Sequence, residues 1–344
     1  MRLAVDVMGG DHAPDAVLKG CIDALPTLAH DDHLVLVGPP DLITEFLTDR
    51  GIRDARITIE PATSIIGMDE SPAKAVKSKP DSSIVKMALL GSPKVANPVD
   101  VVLSAGNTGA CVAAGIMHMR RLPGVHRPGI AVTVPALHGP VVLCDAGANP
   151  EPKSTHLWQY ALMADTYARH VLKITEPRVG LMNIGSEEGK GTDLTKQARE
   201  LLEATPGVNS IGYVEGRDFF DGVADVIVTD GFVGNTVLKM AEGLAKSLFA
   251  AIASEVFEVD PDLGLRLEPV FRSIYKKNDY HEYGGAPLLG VNGAMMIAHG
   301  SSEARTIRAA VRNSFDFVKS GVNDVIVRRL AELPSSLGPV PEGA

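Results

Sequence analysis

Small polar residues and glycines follow five apolar runs of the sequence, and together they could bind an anion. The five segments are residues 8–12, 104–110, 145–149, 183–191 and 229–235. The last of them contains Asp230, Gly231, Gly234 and Asn235 and precedes apolar residues at helical spacing. The first N–H groups of a helix lack partners and attract negative charge, and glycines let an anion approach the backbone. We predict that the five turns meet in one crevice that binds phosphate or stabilises an oxyanion.

Lys190 lies in the glycine-rich segment 185–191, which superficially resembles a P-loop. The spacing is one residue short, and Gly191 stands where a P-loop has the Ser or Thr that binds Mg²⁺. Nucleotide hydrolysis is therefore not predicted. A lysine in such a loop can still act as a point charge for phosphate or a developing oxyanion, and we favour that role over a solvated lysine in a turn.

Asn235 stands where a helix should begin, so it could cap the helix or donate its amide to a substrate oxygen. We favour the substrate role for Asn235, and a structural role for Asp145. Asn107 and Thr108 repeat the Asn-Thr pair at the head of another helix. The repetition suggests two polar helix starts that face each other across one crevice.

His12 and His299 each follow an apparent strand end. Either could be a general acid or base or a phosphate contact, or an imidazole that bonds a backbone carbonyl. The sequence contains no GxGxxG, HExxH or GxSxG pattern, so no nicotinamide site, metal site or serine nucleophile is predicted. With no covalent nucleophile indicated, phosphate itself could attack the substrate, and the protein would position it and stabilise a tetrahedral oxyanion.

Composition narrows the class of protein. The 344 residues carry a net charge of −9 without a long basic run, so nucleic acid is an unfavourable partner. Cys21, Cys111 and Cys144 lack a CxxC pattern and suggest buried thiols in a reducing cytosol. No signal peptide is recognised. The segment 101–119 lacks charged residues, but its central glycines and Asn107 favour strand, turn and helix over a membrane span.

Strands and helices alternate along the chain, which is typical of an α/β protein with a mainly parallel sheet between two helical layers. Predicted strands are 3–7, 34–37, 56–60, 100–103, 130–134, 141–144, 179–183, 208–213, 225–228 and a last one within 291–297. Predicted helices are 13–28, 41–50, 71–77, 82–90, 109–121, 154–170, 192–204, 237–258, 268–277 and 303–333. In such sheets ligands bind beyond the carboxyl ends of the strands, where these glycines fall.

Residues 237–277 read as a helical hairpin joined by the segment 259–267. Leu263, Leu265 and Leu267 make this segment more apolar than a loop should be. We favour a contact in a dimer, with contact to a membrane surface as the alternative. Residues 1–333 are predicted to form one domain, and 334–344 a frayed tail rich in Pro, Gly and Ser.

Seven segments together resemble the bacterial phosphate acyltransferases of phospholipid synthesis, over nearly the whole chain. The segments are VDVMGGDHAP (5–14), SAGNTGA (104–110), DAGAN (145–149), NIGSEEGKG (183–191), VTDGFVGN (228–235), YGGA (283–286) and AHGSS (298–302). The resemblance implies a fold similar to isopropylmalate dehydrogenase and phosphotransacetylase. It also implies transfer of a long-chain acyl group from acyl-ACP to inorganic phosphate, without a cofactor.

The resemblance further implies a cytoplasmic homodimer that associates peripherally with the membrane. Its partners would be acyl carrier protein and a membrane glycerol-3-phosphate acyltransferase that consumes the acyl phosphate. Lys190 and Asn235 match positions associated with catalysis or phosphate binding. As a mechanistic hypothesis, we assign catalysis to Lys190, Asn235, His12 and Asp230. We assign phosphate or substrate binding to Gly106, Asn107, Thr108, Gly109, Asn149, Gly231, Gly234 and His299. A short-acyl phosphotransacetylase that uses CoA and a non-catalytic membrane scaffold are the alternatives.

Overall fold

A computed structural model describes residues 1–136, 138–277 and 283–333. Within these ranges the strands are β1 Arg2–Asp6, β2 His33–Gly38, β3 Ile57–Pro61, β4 Val101–Ser104, β5 Gly129–Val134, β6 Val141–Cys144, β7 Arg178–Asn183, β8 Asn209–Glu215, β9 Val226–Val228, β10 Gly285–Leu289 and β11 Ala294–Ala298. The first nine lie within two residues of their predicted positions. The predicted tail 334–344 lies outside the described residues.

The α-helices within the same ranges connect these strands. They are α1 Asp15–Ala24, α2 Pro40–Asp49, α3 Pro72–Ser78, α4 Ser83–Leu90, α5 Thr108–Ala114, α6 Ser154–His170, α7 Asp193–Glu203, α8 Gly231–Val259, α9 Pro261–Lys277, α10 Ala304–Lys319 and α11 Val322–Glu332. A π-helical turn, Gly115–Met119, continues α5 and ends at Arg120, whose φ is +70°. The predicted helix 303–333 is divided, because Gly321 takes a left-handed conformation with φ +63° between α10 and α11.

The strands of the described chain form one sheet in the order β3-β2-β1-β4-β11-β10-β5-β6-β9-β7-β8. Strands β3, β2, β1, β4 and β11 pair in parallel, as do β6, β9, β7 and β8. At the centre, β10 and β5 pair antiparallel with each other and with their outer neighbours. The two parallel halves therefore meet at a central antiparallel seam.

Both faces of the sheet are buried except at its edge strands β3 and β8, which explains the continuous apolar runs of the inner strands. Alternate residues of a strand belong to different core clusters: Leu3 and Val5 pack in one, and Ala4 in the other. The first cluster includes residues of α1, α6 and α10, and the second includes residues of α4 and α5. The predicted three-layer α/β/α architecture is confirmed.

The predicted hairpin differs from the structure in where its turn lies. α8 ends at Val259 and α9 begins at Pro261, so the apolar segment that was predicted as a loop is helical. The Asp260 carboxylate accepts a hydrogen bond from Leu263 N, which starts the second helix at once. Because Gly264 has no Cβ, the Phe257 ring of α8 can pack directly against α9.

The sequence gives no strand signal for β10, because Gly284, Gly285 and Pro287 are poor strand residues. The structure makes it a central strand, although Pro287 has no N–H to donate to the sheet. Across the described ranges, no helix combines the length and the apolar composition that crossing a membrane requires.

Candidate functional site

A half-enclosed pocket of about 440 Å³ lies at the central seam of the sheet. Residues of β5, β10 and β11 line it, together with the turns that follow β1, β4, β6, β9 and β11. Four of the five predicted turns thus contribute to one pocket. Much of its lining is apolar, including Ile130, Val132, Leu238, Ala286 and Ile297. Polar groups of Asn107, Thr108, Asn235 and His299 line the same space.

The turn after β4 contributes Thr108 and Gly109 to the pocket. In the described chain no hydrogen bond engages the N–H of either residue. The Asn107 carboxamide, by contrast, is fully used within the protein. Its Nδ2 donates to the carbonyl oxygens of Gly67, Met68 and Glu70 at 3.0–3.3 Å, and its Oδ1 accepts from Ala110 N. The backbone of this turn, rather than the Asn107 side chain, offers hydrogen-bond donors to a ligand.

A buried carboxylate holds the turns after β1 and β4 together. Asp6 Oδ2 accepts a hydrogen bond of 2.7 Å from Ser104 Oγ, and Oδ1 accepts one of 3.1 Å from Met8 N. Ser104 Oγ in turn accepts from Gly106 N. Burial raises the pKa of Asp6, against the opposing effect of these hydrogen bonds. Gly106 therefore serves the geometry of the turn and does not line the pocket.

The turn after β6 is organised by Asp145, as the sequence suggested. Its carboxylate accepts from the N–H groups of residues 130, 147, 148 and 149 and from Asn149 Nδ2. Asn149 Nδ2 also donates to the Pro128 carbonyl, so its amide group is occupied within the protein. Asn149 O accepts from Gly231 N, which joins this turn to the start of α8.

The start of α8 is held close to the turn of Asp145. A Cβ on Gly234 would overlap the Asp145 carbonyl oxygen, and one on Gly231 would lie 2.8 Å from Asn149 O. Asp230 caps the helix by accepting from Val233 N at 2.8 Å. The expectation that the first N–H groups of this helix are free is therefore wrong for residues 231, 233 and 234, which all have partners.

α8 presents one face to the pocket through Asn235, Leu238, Lys239 and Glu242. These residues follow the helical spacing i, i+3, i+4 and i+7. Within the described residues no hydrogen bond engages the Asn235 carboxamide. Its side chain is thus available to a ligand, whereas that of Asn107 is not.

His299 lines the pocket beside Asp11, whose N–H donates to Gly300 O. His299 Nδ1 lies 3.2 Å from Ser301 N, a group that can only donate. Nδ1 is therefore an acceptor, and the neutral ring carries its proton on Nε2. His299 can offer one N–H donor to a bound oxygen.

Lys190 and His12 do not line the pocket. Lys190 is exposed in the turn after β7, and His12 is exposed beside Asp11. Because β7 pairs with β9 in parallel, the turn that contains Lys190 begins next to Asp230. The structure thus brings together Asn107, Thr108, Gly109, Asn235 and His299 as pocket-lining residues. It leaves Lys190, His12, Asp230, Gly106, Asn149, Gly231 and Gly234 outside this lining, and their assigned roles stay predictions.

Several lining residues were not singled out from the sequence. Lys239 and Glu242 could have been found, because they share the face of Asn235 at helical spacing. Met68 lies in an irregular segment, and Thr306 lies near the start of α10, so neither carried a periodic signal.

Cysteine chemistry does not contribute to this site. Cys21, Cys111 and Cys144 are buried free thiols, as the sequence suggested. Burial raises the pKa of Cys21 and Cys111 to about 12, and that of Cys144 well above its usual value. A thiolate nucleophile is strongly disfavoured at these positions.

The fold is similar to those of solved phosphotransacylases. A phosphotransacetylase from Streptococcus pyogenes aligns with a TM-score of 0.63 and 16% identity, over 93% of this chain and 94% of that one. A branched-chain phosphotransacylase from Enterococcus faecalis V583 aligns with a TM-score of 0.56 and 12% identity, over 92% and 99%. At such identities the similarity defines the fold alone, which is the predicted phosphotransacetylase-like α/β fold.

Comparison of the amino-acid sequence identifies the family, which the fold alone does not. The family described as "Fatty acid synthesis protein" matches residues 1–325. A phosphate acyltransferase from Desulfitobacterium hafniense is 46% identical over 333 residues, covering 96% of this chain and 98% of that protein. One from Dictyoglomus turgidum is 43% identical over 336 residues, covering 97% and 98%. The chain belongs to this family, the phosphate acyltransferases of fatty acid and phospholipid synthesis, and it is an enzyme.

Proposed function

We propose that the protein transfers a long-chain acyl group from an acyl-ACP thioester to inorganic phosphate. The products are acyl phosphate and free acyl carrier protein. The observation that carries this proposal is a largely apolar pocket whose lining includes hydrogen-bond donors without partners in the described chain. Apolar walls suit the acyl chain, and the donors suit the oxygen of its thioester.

The reaction needs no covalent enzyme intermediate. A phosphate oxygen attacks the thioester carbonyl carbon, the carbonyl oxygen becomes an oxyanion, and the C–S bond then breaks to release the thiolate of the carrier. The N–H groups of Thr108 and Gly109, the Asn235 amide and the Nε2–H of His299 are the donors available to that oxyanion or to phosphate. Preorganised donors of this kind typically contribute about 2.7–4 kcal/mol each to transition-state stabilisation.

Lys190 is retained as a catalytic candidate outside the pocket lining, in the turn beside Asp230. Replacement of Lys190 by Ala should strongly reduce kcat and leave the fold intact. Thermal unfolding and turnover should be measured together. Near-normal turnover with acyl-ACP would remove Lys190 from the mechanism.

The decisive experiment measures thiol release from palmitoyl-ACP with and without phosphate. Release that requires phosphate, together with formation of acyl phosphate, is expected. Acetyl-CoA tested in parallel would identify a short-acyl phosphotransacetylase if it were the better donor. Release that does not depend on phosphate, or no release from any donor, would contradict the proposal.

The proposal includes a cytoplasmic homodimer that contacts the membrane through the helical hairpin and passes acyl phosphate to a membrane glycerol-3-phosphate acyltransferase. Its support is an exposed apolar stripe on α8 that includes Met240, Leu244 and Leu248. Replacement of Leu244 and Leu248 by Glu should yield monomers in light scattering or abolish liposome binding. If both properties survive, the hairpin is not the contact surface. Liposome binding without phosphate-dependent thiol release would favour the scaffold alternative.

A further inference from the structure

One wall of the pocket comes from a short strap, residues 65–70, that belongs to neither a helix nor a strand. Met68 is its pocket-lining residue. The Met68 side chain is 54% exposed, and its Cε reaches the turn after β11, where a Cβ on Gly300 would lie 3.1 Å away. The thioether thus spans the side of the pocket between the strap and Gly300.

The backbone of the strap is fixed from two directions. The Asn107 amide binds the carbonyl oxygens of Gly67, Met68 and Glu70. On the other side, the Glu70 carboxylate accepts from Gly67 N at 2.6 Å and from Lys79 Nζ at 2.7 Å. Lys79 Nζ also donates to the Ile65 carbonyl at 2.8 Å. These bonds hold the main chain at Met68 and leave its side chain as the adjustable part.

Methionine is unbranched and has several rotatable bonds, so it can adapt its shape to a ligand. At Met68 a flexible apolar side chain is carried by a fixed backbone, and it lines the same pocket as Thr108 and Gly109. Asn107, which starts that polar turn, also positions the strap. The Asn107 side chain therefore sets the distance between Met68 and the N–H groups of Thr108 and Gly109.

We propose that Met68 determines specificity for the acyl group, by limiting the width of the pocket close to the thioester. The inference rests on the proposed function and adds to it the residue that discriminates among acyl donors. A straight chain passes beside the thioether, whereas a methyl branch near the thioester has to displace this side chain.

The test compares two acyl-ACP donors of equal chain length, one straight and one with a methyl branch next to the thioester. Met68→Ala should raise the ratio of kcat/KM for the branched over the straight donor by roughly tenfold, the discrimination typical of one methyl or methylene group. Met68→Ile should lower the ratio, because its β-branched side chain is stiff. Met68→Leu, which conserves volume, should stay close to wild type.

Met117→Ala is the matched control, because Met117 is 43% exposed but does not line the pocket. It should leave the ratio unchanged. Lys79→Met removes the ammonium group that holds the strap and should shift the ratio in the same direction as Met68→Ala. Thermal unfolding of each variant shows that it is folded.

Calorimetric binding of the same two donors provides a readout that does not depend on turnover. The ratio of their Kd values should shift in Met68→Ala as the kinetic ratio does. Kinetic and binding ratios within about twofold of wild type in both Met68→Ala and Met68→Ile would overturn the inference. Failure of the wild type to release thiol with phosphate would overturn the proposed function instead, and the binding ratios would still decide the role of Met68.

Discussion

Replacement of Asp145 by Asn tests whether this buried carboxylate organises the turn after β6, which lines the pocket through Ala146 and Gly147. Three of its hydrogen bonds reach Oδ1, from the N–H groups of residues 130, 147 and 148. Two more reach Oδ2, from the backbone and side-chain nitrogens of Asn149. An asparagine can keep only one of the two oxygens as an acceptor.

The least costly orientation keeps Oδ1 and leaves the two donors of Asn149 facing an NH₂ group. Each donor that loses its acceptor costs about 1–3 kcal/mol when buried, and because both donors of Asn149 are only partly buried, Asp145→Asn should cost about 2 kcal/mol. For a domain of this size, taking about 2 °C for each kcal/mol, the melting temperature should fall by about 4 °C.

Asp32 provides a control in the same residue type and burial. It accepts one hydrogen bond at each oxygen, from Ala29 N and from the amino group of Met1. Asp32→Asn can keep one of these two, so its melting temperature should fall about half as far. Thermal unfolding followed by circular dichroism measures both variants. If Asp145→Asn melts no lower than Asp32→Asn, the Asp145 hydrogen bonds do not hold this turn.

Three further predictions follow from single positions. Gly234→Ala should greatly destabilise the protein, because its Cβ would overlap the Asp145 carbonyl oxygen. Gly243→Ala, in an open part of the same helix, should instead add about 0.5–1 kcal/mol to the unfolding free energy. Urea denaturation measures both changes. Arg120→Gly should raise the melting temperature by about 2 °C, because φ +70° with ψ −179° strains a residue that has a Cβ; an unchanged or lower value refutes this. Burial raises the pKa of Asp6, so its contribution to stability is complete below the unfolded value of 3.8 and is lost as pH rises through the folded pKa. Relative to Asp6→Asn, wild type should therefore lose stability from pH 4 to pH 7 in denaturation experiments, and a constant difference would contradict this.

Sequence patterns predicted nine strands well. Seven of them are buried over most of their length and read as apolar runs, whereas the edge strands β3 and β8 are only partly buried. The patterns failed for β10, where Pro287 and two glycines look like a loop and where pairing on both sides forms the strand. The sequence also predicted the turn of the helical hairpin at the wrong place. A single capping carboxylate, Asp260, starts the second helix before its apolar residues.

The sequence could predict which residues line the pocket where spacing along one helix determines this, as for Asn235 and its neighbours. It was not predictable where strand order decides it. Lys190 follows a strand that is two places further from the central seam than β6, and no local pattern encodes that order. Met68 reaches the pocket through hydrogen bonds from Asn107, a residue 39 positions away in the sequence.

The longest helix of the described chain is anchored at its N-terminal end and exposed to solvent further along. α8 spans 29 residues, about 43 Å. Its first turn packs through Gly231 and Gly234 against the backbone of the turn that contains Asp145. Beyond this base its outer turns expose Met240 and Leu244 to solvent. Amide hydrogen exchange should therefore be slow at the base and accelerate toward Val259. A partner that binds the exposed residues of the outer turns would slow amide exchange there and leave exchange at the base unchanged.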